Sequence, residues 1–273
     1  MKRTTLRVIV NIGIAAVVIV CWVAMVFGSG GSLADTGLRS LKYFTVLSNF
    51  LAAIAAIVWL CAGRTRGGRT QSIEQPNTNL RVPSREEQGD PGSDDSSRAI
   101  AARSRKAELF KYVAAVSVFL TLMTVAVFLG PLYGYKSMFI GPNLPFHLLV
   151  PLAAILEVIF LTDHPFTRRD ARLCLLPVVL YGVGYLANIL INGIGEWPDR
   201  NDWYLFFLWG YPIGLAILGF LILVTCLLAL FLQKMQRIVL KGSQPADLPR
   251  DNSQPPASER EHVASSTSRE ARP

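Results

Sequence analysis

Asn143–Asp163 reads NLPFHLLVPLAAILEVIFLTD, an apolar run that carries His147 near one end and Glu157 ten residues later. No other apolar run of the chain combines a histidine with a carboxylate. Ionisable side chains are costly in hydrocarbon, so those that persist there face a packed interior or a water-filled cavity and tend to serve a function. The run is long enough to be read as a membrane crossing, and it has counterparts along the chain.

The chain has 273 residues, 51% of them hydrophobic, and a mean hydropathy of +0.37. That is too apolar for an ordinary soluble domain. Six runs reach spanning length, near residues 7–28, 41–62, 109–130, 144–162, 172–193 and 205–232, against the roughly 20 apolar residues a crossing requires. No strand pattern competes with them, and helices are expected because lipid offers no partner for free backbone groups. The fold expected is all-α, a six-helix transmembrane bundle. The N-terminal apolar stretch from Val8 to Gly28 exceeds the roughly 7–15 residues of a signal-peptide core, so it reads as an uncleaved first helix.

A net charge of +8 would suggest nucleic acid as the partner of a soluble protein. Here the basic residues flank the apolar runs, which is a topology signal and a feature suited to anionic lipid, and no nucleic-acid partner is expected. Lys2, Arg3 and Arg7 precede the first run; Arg64, Arg66, Arg69, Arg103, Arg105 and Lys106 follow the second. Arg168, Arg169 and Arg172 separate the fourth and fifth, and Lys234, Arg237 and Lys241 follow the sixth. The alternate loops hold fewer cations, so the positive-inside rule puts both termini in the cytoplasm. The expected location is the cell (plasma) membrane.

Residues 1–62 therefore form helices one and two, and residues 108–233 helices three to six. Between them, residues 63–107 are rich in Gly, Pro, Ser and mixed charge, with too little apolar surface to offset chain ordering. Disorder is expected there and in the tail, residues 234–273, where His262 reads as a solvated side chain. Cys21, Cys61, Cys174 and Cys226 lie singly in apolar runs, without the paired spacing of a metal site. No metal or organic cofactor is implied. In the last run, Gly210, Tyr211 and Pro212 place the crossing from about Pro212 onward. The preceding NDWYLFFLWGY reads as an interfacial segment, with Trp197, Trp203, Tyr204, Trp209 and Tyr211 forming an aromatic belt. Gly210 and Gly214 have small-xxx-small spacing for close helix contact.

Thr45, Ser48 and Asn49 sit at i, i+3 and i+4, one face of helix two. Helices two and four run in the same direction, which puts Thr45 and His147 at similar depth near the outer interface. Asn188 and Asn192, four apart on helix five, come up at that level from the other direction. Glu157 lies some 15 Å deeper than His147 at about 1.5 Å per residue, too far to orient it. It is expected to pair with an Arg such as Arg168 or Arg172, or within the bundle interior.

The run KYFTVLSNF, followed later by a His–Pro–Glu helix, resembles the family of androgen-induced and androgen-dependent integral membrane hydrolases and its six-helix bacterial relatives. The matching residues are Lys42, Tyr43 and Thr45, and then His147, Pro151 and Glu157. The resemblance implies a membrane-embedded threonine hydrolase of fatty-acyl esters, with Thr45 as nucleophile and His147 as base. The position of Pro151, the long insert and the NDWY…GYP stretch depart from the animal members and favour the bacterial branch. Its partners would be membrane lipid and a lipid-like small-molecule substrate.

A hydroxyl is a weak nucleophile until a base takes its proton, and imidazole is the usual base near neutral pH. Ser48 is a rival nucleophile, one helical turn from Thr45 and on the same face. Asn49, Asn188 or backbone amides are candidate oxyanion donors. The alternative is a non-enzymatic membrane protein that binds or conducts a small ligand through a polar interior including His147 and Glu157.

Overall fold

In a computed structural model, the structure describes residues 3–27, 34–67, 91–196 and 200–242. All regular structure among them is helical. Helix α1 is Arg3–Phe27, and a 3₁₀ segment, Ala34–Lys42, leads into α2, Phe44–Gly67. Helix α3 is Pro91–Thr124, extended by a π-helical turn, Val125–Leu129. Short helices at Gly130–Tyr133 and Tyr135–Met138 connect it to α4, Pro145–Phe160, whose first turn is also π-helical. Helix α5 is Arg168–Asn192, with a turn at Cys174–Leu175 ahead of Pro177, and α6 is Tyr211–Gly242.

Five of these helices are long and apolar enough to cross a membrane: α1, α2, α3, α5 and α6. The run expected to form the fourth crossing gives a shorter helix. It opens at Pro145 and ends where Leu161 leaves the helix, its N–H bonded to the Glu157 carbonyl at 2.8 Å. At about 1.5 Å per residue α4 is roughly 24 Å long, a little short of a hydrocarbon core of about 30 Å.

Helix boundaries also move outward into the polar segments. Helix α3 starts at Pro91, so the C-terminal part of the 63–107 insert is helical. Helix α2 continues past residue 62 to Gly67, and α6 past residue 233 to Gly242. Ala, Arg, Lys, Gln and Leu in these extensions are good helix formers, which lets a helix formed by an apolar run extend into the polar residues beside it. The remaining residues expected to be disordered, 68–90 and 243–273, lie outside the described residues.

Helix α3 is the central element: 61% of its most apolar window is buried, against 22% for α5 and 17% for α6. It packs on α2, α4 and α6, while α1 lies against α2 and α4. Small residues permit the closest approach, Ala52, Ala53, Ala55 and Ala56 of α2 being buried together with Ala114, Ala115 and Ser117 of α3. That pattern matches membrane helix pairs, which gain from tight contact because lipid is as apolar as their side chains. Outward-facing Ile9, Val20, Leu180, Phe220 and Leu227 are exposed, a surface suited to hydrocarbon and poorly suited to water.

The two π-helical turns share a cause. Proline has no N–H and cannot bond the carbonyl four residues back. Pro131 and Pro151 each lie two residues beyond a π turn, and the intervening N–H reaches five residues back: Gly130 to Val125 and Val150 to Pro145. Wide turns of this kind recur at functional sites. The second one carries His147.

Candidate functional site

Of the α2 face read from sequence, Asn49 reaches α4 and Ser48 reaches α3. Asn49 Nδ2 donates to the Thr45 carbonyl at 2.7 Å and to the Phe146 carbonyl at 3.1 Å. One amide thereby clasps the first turn of α2 to the turn that holds His147. Asn49 Oδ1 is buried and has no partner among the described residues, leaving an acceptor whose desolvation costs about 1–3 kcal/mol.

His147 is 5% exposed. Its Nδ1 lies 2.8 Å from the Met138 carbonyl oxygen, on the short helix preceding α4. A carbonyl only accepts, so Nδ1 carries the proton and Nε2 keeps its lone pair. A backbone carbonyl thus fixes the orientation of the ring. Sequence reasoning had no way to find this partner, because a main-chain oxygen leaves no residue-type signal.

The two hydroxyls on α2 differ. Ser48 is buried; its Oγ lies 3.0 Å from both the Thr45 carbonyl and Thr121 Oγ1 of α3. Thr121 Oγ1 also reaches the Ser117 carbonyl at 3.4 Å, so Ser48 is engaged in the packing of α2 on α3. Thr45 is half-buried, and its hydroxyl has no hydrogen-bond partner among the described residues.

Asn188 and Asn192 are used elsewhere. Asn192 Nδ2 donates to Asn188 Oδ1 at 2.9 Å, and Asn201 Nδ2 donates to the Asn192 and Gly193 carbonyls at 3.1 and 3.0 Å. These bonds fasten the loop after α5 to its helix. No hydrogen bond joins this pair to α2 or α4 among the described residues.

The segment 200–210 folds back over the same end of the bundle. Asp202 is 1% exposed and accepts from Tyr185 Oη and from the Phe206 and Phe207 N–H groups, the latter two at 2.9 Å. Tyr204 Oη accepts from the Phe44 N–H at 2.8 Å, satisfying one of the orphan donors at the start of α2. Tyr181 Oη donates to the Lys42 carbonyl at 2.7 Å and accepts from Trp203 Nε1 at 3.0 Å. Burial raises the Tyr43 phenol and pushes that of Tyr204 up to about 12, so both stay protonated near neutral pH. Trp203 and Tyr204, expected in an aromatic belt, instead build this cap; Trp209 and Tyr211 are exposed, and Trp197 lies outside the described residues. Gly214 does not seat a neighbouring helix. A Cβ there would come within 2.3 Å of the Phe207 ring.

Beside this cap, between α2 and α5, lies a cleft of about 520 Å³. Its walls are mostly apolar, including Leu47, Leu51, Pro177 and Leu180, with Lys42, Tyr181 and Trp203 also on its lining. The cleft reaches Ser48, one turn from Thr45; neither Thr45 nor His147 lines it.

Glu157 belongs to a separate assembly at the opposite end. Its Oε1 accepts from Arg7 Nε at 3.1 Å and Asn11 Nδ2 at 2.7 Å, and pairs with Lys111. Arg7 Nη2 pairs with Glu108 at 2.5 Å, and Trp59 Nε1 donates to Glu108 at 3.0 Å. Two cations and two carboxylates, all buried, thus join α1, α3 and α4. Of the alternatives expected for Glu157, the bundle interior is the one observed: Arg7 and Lys111 face it there, whereas Arg168 and Arg172 lie beyond the chain reversal after α4. Among the described residues no group of three or more His, Cys, Asp or Glu could hold a metal.

Comparison with protein families, with curated proteins and with solved structures found no match.

Proposed function

We propose that this protein is a six-crossing membrane hydrolase of lipid-like esters, with Thr45 as nucleophile and His147 as general base. The observation that carries the reading is the Asn49 clasp, which holds the Thr45 turn against the His147 turn. Two further features favour it. Nε2 of His147 keeps its lone pair because Nδ1 bonds Met138, and the Thr45 hydroxyl is uncommitted while Ser48 is engaged. In the proposed step Nε2 takes the hydroxyl proton as Oγ1 attacks the ester carbonyl, and returns it to the alkoxide oxygen as the ester C–O bond breaks and the alcohol departs. Nε2 then takes a proton from water, whose attack on the acyl-enzyme releases the fatty acid and restores the Thr45 hydroxyl.

The proposed topology has both termini in the cytoplasm of the cell membrane, with α4 completing the six crossings. Arg3 bonds the Phe160 carbonyl, Arg105 bonds Asp170, and Arg237 bonds the Phe166 carbonyl. The basic starts of α1 and α5, Arg105 of α3 and the basic end of α6 therefore gather at one end, the arrangement the positive-inside rule favours. The cleft beside Ser48 would admit an acyl chain from the bilayer. The conducting alternative has less support, because Glu157 is fixed by Arg7, Asn11 and Lys111.

Purified protein in mixed micelles, assayed against a panel of acyl esters, tests the reading. Turnover should fall at least about 100-fold in both T45A and H147A and be partly retained in T45S. Full activity in either alanine variant would overturn the assignment.

A further inference from the structure

The basic end of the bundle carries a second feature, independent of the hydrolase reading. A groove of about 660 Å³ lies between the start of α5 and the last turns of α6, lined by Arg168, Leu230, Gln233, Lys234, Arg237, Ile238 and Lys241. The α6 residues follow the spacing i, i+3, i+4, i+7, i+8, i+11, a single stripe along the helix. That stripe changes from apolar at Leu230 to cationic from Lys234 onward, where a long membrane helix leaves hydrocarbon for headgroups.

Among the described residues, the carboxylates near this end of the bundle are engaged elsewhere. Asp170 is held by Arg105 at 2.7 Å and by the Thr167 N–H at 2.7 Å, and Asp163 faces Arg3 and Arg7 at 3.6 and 3.9 Å. Glu108 and Glu157 are enclosed in the buried cluster. Among the described residues, Arg168, Lys234, Arg237 and Lys241 thus have no carboxylate within ion-pair distance. In the segment 243–273, Asp and Glu are interspersed with Arg along the sequence, and the chain's acidic run, Glu86, Glu87, Asp90, Asp94 and Asp95, lies in the insert and the start of α3.

The groove is also built rigidly. The Phe166 carbonyl accepts from Gln233 Nε2 at 2.8 Å and from Arg237 Nη2 at 2.8 Å, while the Phe166 N–H donates to Gln236 Oε1 at 3.1 Å. These bonds fix the 164–167 turn against α6 before any ligand arrives, which lowers the ordering cost of binding.

We infer that this groove binds the headgroup of an anionic phospholipid, with the phosphate between Arg168 and the Lys234–Lys241 stripe and an acyl chain along Leu230 and Ile238. Each cation near an anionic lipid surface adds electrostatic attraction, and the apolar Leu230 and Ile238 on the lining distinguish a lipid from a soluble phosphate.

The test uses the full chain, delipidated in uncharged detergent, with native mass spectrometry reading lipid retained during titration with phosphatidylglycerol or phosphatidylcholine. Phosphatidylglycerol should bind at least about tenfold more tightly than phosphatidylcholine. That preference should vanish in R168Q/K234Q/K241Q, which spares Arg237 and its bond to Phe166. It should survive in R103Q/K106Q/K136Q, which removes the same charge from exposed positions elsewhere. Equal binding of the two lipids, or unchanged preference in the groove variant, would overturn the inference. So would displacement of the lipid by millimolar inorganic phosphate, or a tenfold gain in affinity on deleting residues 243–273, which would make the tail the occupant.

Discussion

Replacing Glu157 with Gln keeps the side-chain shape and removes one charge from the buried cluster. Lys111 would then be left with Asn11 as its neutral neighbour, and Arg7 with Glu108 and the exposed, more distant Asp163. Stranding a buried charge costs about 3–5 kcal/mol, because the lost Coulomb attraction no longer offsets desolvation. Lys111→Met should cost a similar amount by leaving two buried carboxylates, Glu108 and Glu157, to share Arg7, with Glu157 Oε2 already without a hydrogen-bond partner among the described residues. The double variant E157Q/K111M leaves the Arg7–Glu108 pair intact, and the amide oxygen at position 157 can still accept from Arg7 Nε and Asn11 Nδ2. It should lie within about 2 kcal/mol of the parent, well short of the sum of the singles. Reversible unfolding in mixed micelles, titrated with a denaturing detergent and followed by far-ultraviolet circular dichroism, measures all three. Single variants within 1 kcal/mol of the parent, or strictly additive effects in the double, would show that the cluster is not a coupled buried unit.

Asn49→Ala removes the clasp between α2 and α4 and should cost about 1–3 kcal/mol in the same unfolding assay, with a fall in ester turnover that exceeds the loss of folded protein. Gly214→Ala places a Cβ 2.3 Å from Phe207 Cδ1 and should destabilise by about 1–3 kcal/mol. Gly219→Ala, whose Cβ would meet nothing within 4 Å, should be neutral or stabilise by up to about 1 kcal/mol. A comparison of their unfolding midpoints decides whether the glycine matters for the Phe207 contact or for helix propensity alone.

Much of the helical plan was legible because lipid imposes a simple rule: long apolar runs must satisfy their backbone internally. The shared face of Ser48 and Asn49 followed from helical spacing, as did the cost of burying His147. Arg7 and Lys111 were not legible. A cation at the end of an apolar run is indistinguishable by composition from a topology signal, and their partner Glu157 is remote in sequence. Asp202 was missed for a related reason: its partners are main-chain N–H groups and one tyrosine hydroxyl, arranged by a loop that folds back over α5. The spacing of Gly210 and Gly214 suggested helix contact, whereas the structure uses Gly214 to seat an aromatic ring from that loop. The orientation of His147 depends on the Met138 carbonyl, and main-chain acceptors carry no signature of residue type.

The most direct measurement is covalent labelling of the native protein by a hydroxyl-directed fluorophosphonate, with the modified residue mapped by mass spectrometry. The account predicts a label on Thr45 that disappears in H147A, since the hydroxyl needs Nε2 to take its proton. Label on Ser48, equal labelling with and without His147, or no label on a folded protein that retains its helical dichroism would contradict it.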